Sequence, residues 1–239
     1  MQSDPFRHHP ELRHVITPVE DSFFRDFDPA RLDQQMAELG NPPDWRFTTE
    51  QREAFRAREL AGRMDRDLWV FAYGSLCWDP AVAFDEIRRA HVPSHARRFY
   101  LKDQKGGRGT RDNPGLIAVL AEGSGCDGLA FRIPAAALEN ATRTLWARER
   151  IASAYDSAFL TAQTAQGPIE TLAFVANPEA DSIDTTMTRA EQARYVAHGH
   201  GILGSSLDYV RKLKAGLAAI QISDPDLDRL LADAEALLA

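Results

Sequence analysis

Cysteine is scarce in this chain of 239 residues: Cys77 and Cys126 are the only two. Two cysteines make no disulfide framework, so the expected setting is a reducing one, the cytoplasm. An excess of positive charge is also missing. The 28 lysines and arginines are outnumbered by 35 aspartates and glutamates, a formal net charge of -7. A protein that grips a nucleic-acid backbone needs the opposite balance on one face. No apolar run approaches the ~20 residues that cross a bilayer. The N-terminal stretch MQSDPFRHHPELRHV lacks the apolar segment of a secretion signal. His8 and His9, like His198 and His200, have no further ligands at useful spacing, so no metal site is expected. Lys105-Gly106-Gly107-Arg108-Gly109-Thr110 lacks the spacing of a phosphate-binding P-loop and reads as a mobile loop. What is left is an ordinary globular protein, 44% hydrophobic and 26% charged, apolar enough to bury a core.

The chain is organised around residues 70–76, Val70-Phe71-Ala72-Tyr73-Gly74-Ser75-Leu76. Leu68, Trp69, Val70 and Phe71 form a short apolar run that suits a buried strand. Gly74-Ser75 then breaks it. A glycine there lets the backbone turn sharply and lets a ligand approach the main chain. Successive N–H groups in such a turn can bind an anionic or carbonyl oxygen. The alternative is a plain turn.

Residues 1–66 read as a helical N-terminal extension. Asp28-Pro29 starts one helix, which carries Leu32, Met36 and Leu39 and ends near Gly40. Thr48 or Thr49 caps a second, heavily charged one. The extension is expected on the surface of the main domain. Every motif follows Asp67, so it is also expected to be dispensable for chemistry.

From residue 67 to 239 the texture is that of one domain. Short apolar runs at 68–73, 97–102, 116–121, 127–133, 157–165 and 169–176 are separated by turn residues. Several links are too short for crossover helices. The fold class is therefore α+β, a mainly antiparallel sheet or small β-barrel with flanking helices. Residues 115–131 read as one hairpin across Glu122-Gly123-Ser124-Gly125. Residues 157–176 read as another across Gln166-Gly167-Pro168.

Between them lies a helix whose stripe, Leu138, Ala141, Thr142 and Leu145, continues to Glu149. Two readings of Glu149 stand. The helix ends before it or it pairs with an arginine; or it is a carboxylate in a partly dry pocket, suited to general acid–base work. The last third is helical, with stripes through Leu207, Val210, Leu213, Leu217 and Ile220 and through Leu227, Leu230, Leu231, Ala234 and Leu237.

Taken together, these pieces resemble a known family. Residues 70–76 resemble the glycine loop of γ-glutamylcyclotransferases. Arg108-Gly109-Thr110 with Pro114-Gly115, Leu145-Trp146-Ala147-Arg148-Glu149 with Tyr155, and Gly201-Ile202-Leu203-Gly204-Ser205-Ser206-Leu207-Asp208-Tyr209 follow in the order of its ChaC-like, glutathione-specific branch. The match covers about residues 67 to 232. It departs at Ser153-Ala154, where the family pattern has glycine, and at Ser206, where asparagine is common. The resemblance implies a lyase that cleaves glutathione, or another γ-glutamyl compound, to 5-oxoproline and a released amine, with no metal or cofactor. It implies Glu149 as the acid–base residue. It implies Val70, Phe71, Ala72, Tyr73, Gly74, Ser75, Leu76, Arg108 and Tyr155 as substrate contacts. A non-catalytic module binding a γ-glutamyl ligand is the rival expectation.

Overall fold

The apolar run at the centre of the sequence forms strand β1 (Leu68–Ala72). The computed structural model describes residues 4–239. After β1 come β2 (Glu86–Val92), β3 (His95–Asp103), β4 (Gly115–Glu122), β5 (Cys126–Ile133), β6 (Tyr155–Ala162) and β7 (Ile169–Ala176). Five of them form one sheet of order β2–β5–β1–β7–β6, and β3 pairs with β4. β1 is apolar throughout because both its faces are covered. Val70 and Ala72 join the large core, whereas Phe71 and Tyr73 pack with Val92, Leu120 and Ala130.

β5 lies antiparallel to β1, and β7 lies parallel to it on the other side. The other pairings are antiparallel. At the sheet's edges, His91 and Gln163 exchange both backbone hydrogen bonds, at 2.9 and 2.8 Å. The sheet thus closes into a ring at one corner. The α+β class with a mainly antiparallel, barrel-like sheet and flanking helices is what the structure has.

The expected hairpin over residues 157–176 is present, with Ala162 opposite Ile169. The hairpin expected over residues 115–131 is not. β4 pairs with β3, and β5 pairs with β1 and β2. The Gly123–Gly125 link is a crossing between sheets. Its N–H groups at Gly123 and Gly125 bond the carbonyls of Ser94 and His95, both at 3.1 Å. Strand β2 was not anticipated, because Glu86, Arg88 and Arg89 break its apolar pattern. Its buried Glu86 is held by Arg7, Arg88 and Arg132.

The helices are α1 (Asp33–Glu38), α2 (Thr49–Glu59), α3 (Leu138–Glu149), α4 (Arg189–His198), α5 (Ser206–Ala219) and α6 (Pro225–Ala236). Thr48 caps α2 and Thr188 caps α4, each in a reciprocal capping box. Asp224 caps α6. The α3 stripe is buried as its spacing requires, and Trp146 beside it meets Phe174 edge-on at 5.4 Å. The α6 stripe stops at Ala234, and Leu237 is exposed. A short ladder, β8 (His200–Gly201) with β9 (Gly204–Ser205), leads into α5.

The N-terminal segment has no core of its own. Leu12, Ile16 and Leu60 are buried in the same cluster as Val70, Leu138 and Trp146. Thr17 N–H donates to Trp78 O at 2.7 Å, and Phe47 N–H to Ile151 O at 2.8 Å. Arg56 of α2 donates to Glu139 at 2.9 and 3.1 Å and to Thr142 at 3.0 Å, both on α3. The segment wraps the domain and is anchored at both ends of α3.

Candidate active site

At the end of β1 the chain leaves the sheet at Tyr73 and Gly74 and turns through a single helical turn, Ser75–Cys77. The first N–H groups of such a turn, at Ser75 and Leu76, have no carbonyl within it to bond. Its backbone is held from behind by Arg97, whose side chain is 4% exposed. Arg97 donates to the carbonyls of Tyr73 at 2.7 Å and Asp127 at 2.8 Å, and to the Asp224 carboxylate at 2.5 Å.

Opposite the turn stands Glu149, the last residue of α3. Turn and glutamate share a small cavity lined by Tyr73, Gly74, Ser75, Leu76, Ile117, Ala118, Glu149, Tyr155, Phe174 and Tyr209. The Glu149 side chain is only 14% exposed, and burial pushes its proton affinity above the ordinary carboxylate value. Arg148 pulls the other way: its Nε lies 3.0 Å from Glu149 Oε1. The helix does not end before Glu149 but on it. The pairing with an arginine and the desolvated carboxylate facing a cavity are both present.

Three tyrosines face Glu149 from three elements. The Tyr73 hydroxyl donates to Phe174 O at 2.8 Å, and Tyr155 donates to Ala118 O at 3.2 Å. Tyr209 instead accepts, from Ala118 N–H at 3.2 Å. A hydroxyl has one proton to give. Two of these protons are engaged within the protein, and that of Tyr209 meets no acceptor among the described residues, which leaves it for a ligand. All three are kept protonated by burial, Tyr209 being pushed up to about 12.

Of the residues expected at the site, Tyr73, Gly74, Ser75, Leu76, Glu149 and Tyr155 come together at the cavity. Val70, Phe71 and Ala72 do not. They are buried in β1 and present the turn from below. Arg108 is near but outside the cavity lining. It donates to Leu203 O at 2.7 Å and to Ser205 O at 3.3 Å, and its guanidinium sits 5.0 Å over the Tyr209 ring. Ile117, Ala118, Phe174 and Tyr209 line the cavity but were not named as contacts. Tyr209 was the one within reach of sequence reasoning, since it closes a motif singled out there. Ser206, at a departure from the family pattern, is fully buried and exchanges two hydrogen bonds of 2.8 Å with the Leu116 backbone. It pins α5 to β4. Among the described residues no three His, Cys, Asp or Glu side chains converge to hold a metal ion.

A desolvated carboxylate facing a strand-end turn, with neutral tyrosines around it, is the layout of an enzyme site built for proton transfer. The family model described as ChaC-like protein matches residues 68–237, and the chain belongs to that family. It is 32% identical over 195 residues to the glutathione-specific gamma-glutamylcyclotransferase of Escherichia coli (strain K12), covering 81% of this chain and 84% of that one. It is 30% identical over 151 residues to glutathione-specific gamma-glutamylcyclotransferase 1 of Homo sapiens, covering 61% of this chain and 68% of that one. The crystal structure of a yeast gamma-glutamyl cyclotransferase specific to glutathione superposes with a TM-score of 0.66 at 21% identity, over 72% of this chain and 96% of that one. That likeness establishes the shared fold.

Proposed function

We propose that this chain is a γ-glutamylcyclotransferase, a lyase that converts glutathione to 5-oxoproline and cysteinylglycine. The observation that carries the reading is the Glu149 carboxylate, raised in proton affinity by burial and facing the Gly74–Leu76 turn across one cavity. The nucleophile belongs to the substrate. Its α-amine attacks its own γ-carbonyl, a C–N bond forms and closes a five-membered ring, and the bond to the leaving nitrogen breaks. Two protons leave the α-ammonium on the way to the lactam N–H, and two reach the leaving amide nitrogen, which departs as an ammonium. A single carboxylate whose proton affinity is raised by burial can relay these protons, and Glu149 has that role.

The rest of the cavity positions the folded glutamyl chain, the main source of rate in an intramolecular attack. The backbone N–H groups of Ser75 and Leu76 and the Tyr209 hydroxyl are donors for the developing oxyanion or the substrate carboxylate. Arg108 acts through Tyr209 and the β8–β9 turn. The reaction balances in atoms and electrons without a redox partner or bound cofactor. The partner is a small molecule. No helix among the described residues is long and apolar enough to cross a membrane. We place the enzyme in the cytoplasm, in keeping with the free thiols of Cys77 and Cys126.

The test is product analysis on the purified protein. Glutathione is expected to yield 5-oxoproline, and a panel of other γ-glutamyl amines to react more slowly. Preference for another member of the panel would move the substrate but keep the reaction. Glu149→Gln keeps shape and hydrogen-bonding capacity but removes the base. It is expected to bind glutathione and to lose at least ~10²–10⁴-fold in turnover. A folded Glu149→Gln protein with more than about a tenth of the wild-type rate would remove Glu149 from the mechanism.

A further inference from the structure

Glutamate and turn are the two halves of the site, and one side chain holds both. Arg148 lies at the end of α3 with its side chain 5% exposed. Its Nε is 3.0 Å from Glu149 Oε1. Its Nη2 donates to Ser75 Oγ at 2.7 Å, and its Nη1 to Asp79 O at 2.6 Å. Each nitrogen of the guanidinium therefore has a different partner. A planar fork of this kind fixes the relative placement of what it holds, whereas an ammonium is a single point of attachment.

The remaining face of the guanidinium is covered by the N-terminal segment. The Phe24 ring lies 4.1 Å from the Arg148 guanidinium carbon, a cation–π stack. Phe24 is itself steadied by edge-on contacts to Phe23 and Phe27 at 5.1 and 5.4 Å. Its N–H donates to the hydroxyl of the buried Ser22 at 3.1 Å. A few residues earlier, Thr17 N–H bonds Trp78 O, next to the same Asp79 carbonyl region. The family model begins at residue 68, so Phe24 lies outside the stretch it describes.

We propose that Arg148 is the positioning residue of this site, setting the Glu149 carboxylate against the Ser75 turn, and that Phe24 of the N-terminal segment seats it. The inference rests on Glu149 as the acid–base group. Arg148 touches no reacting atom. It acts by geometry and by its charge beside Glu149; the other titratable groups lining that cavity are the neutral Tyr73, Tyr155 and Tyr209. The N-terminal segment is thereby part of the catalytic apparatus.

The experiment measures kcat and KM for glutathione against pH, with melting curves, for Arg148→Lys, Arg148→Met, Phe24→Ala, Phe24→Tyr and, at an exposed position outside the site, Leu238→Ala. Arg148→Lys keeps the charge but loses the fork, and kcat is expected to fall about 10–100-fold, the cost of a small misplacement. Arg148→Met also loses the charge, so the acid limb of kcat/KM is expected to move to higher pH. Phe24→Ala is expected to lower kcat about three- to tenfold and to shift the limb the same way. Phe24→Tyr keeps the ring and retains both, and Leu238→Ala leaves both unchanged.

Phe24→Ala sits on a half-exposed side chain and keeps the test open if the Arg148 variants do not fold. A folded Phe24→Ala enzyme with wild-type kcat and an unmoved limb overturns the seating role. A wild-type profile in Arg148→Met or wild-type kcat in Arg148→Lys overturns the positioning role. Glu149→Gln is run alongside. If it is inactive while the Arg148 and Phe24 variants behave as wild type, this inference falls and the acid–base assignment stands. If Glu149→Gln is active, both fall.

Discussion

At Glu149 the functional need and the folding energetics point in opposite directions. Burial raises its proton affinity, so the folded protein keeps a proton there at a pH where the unfolded chain has lost it. Between the ordinary carboxylate value and the raised one, stability therefore falls as pH rises. Glu149→Gln has no ionisation at this position and escapes that loss. Its melting temperature relative to wild type is expected to climb as pH rises from about 4, the ordinary carboxylate value, through the raised value of Glu149. A difference that instead declined over this range would mean that the Arg148 pairing outweighs desolvation. The tyrosines make a second contrast at this scale. The Tyr155 proton is already bonded to Ala118 O, and that of Tyr209 meets no acceptor among the described residues. Tyr209→Phe removes a donor from the reacting centre and is expected to lower kcat/KM about ten- to a hundredfold, several times more than Tyr155→Phe. Equal losses in steady-state assays of the two variants would deny Tyr209 its separate role.

The glycine turn and the loop of Arg108 show how two glycine-rich elements of similar appearance do different work. A Cβ at Gly74 would reach Tyr209 Oη at 3.5 Å, an ordinary contact, and its backbone has φ of -125°. Gly74→Val is therefore expected to keep its melting temperature while its methyls fill the cavity and weaken glutathione binding by calorimetry. A Cβ at Gly109 would collide with the backbone of Pro114 and Gly115. Gly109→Ala is expected to lower the melting temperature first. The reverse pattern would exchange the structural and ligand-facing roles of the two glycines. Their difference was not legible in the sequence, because it depends on which backbone passes nearby. What was legible came from local periodicity. β1 reads as a buried strand from its apolar run, and the α3 stripe leads directly to Glu149. β2 was missed because its charges are satisfied by partners far along the chain, Arg7 and Arg132 among them. The Gly123–Gly125 link resembles a hairpin loop because a tight turn and a crossing between sheets call for the same residue types. Arg148 stayed hidden for a related reason. An arginine beside a glutamate on a helix looks like a surface pair until the turn, Asp79 and Phe24 close around it.

On the scale of the whole molecule, the question is whether residues 1–66 are an attachment or a part of the fold. Charge and motif position make them look like an attachment. Burial argues otherwise: Leu12 is fully buried and Leu60 nearly so, in one cluster with Leu138 and Trp146 of α3. Arg56, itself buried, bonds Glu139 and Thr142, and Phe47 N–H bonds Ile151 O just beyond Glu149. A segment joined in this way has no separate core to melt. Urea denaturation followed at once by tryptophan fluorescence and far-UV circular dichroism is expected to show one transition. Leu12→Ala leaves a cavity in the shared core and is expected to lower the stability of that single transition by about 2–5 kcal/mol. It is also expected to lower the temperature at which 5-oxoproline formation is lost, although no motif lies within fifty residues of it. Two resolved transitions, with the catalytic one untouched by Leu12→Ala, would restore the extension to an appendage. One transition that carries activity with it makes the segment a structural wall of the enzyme.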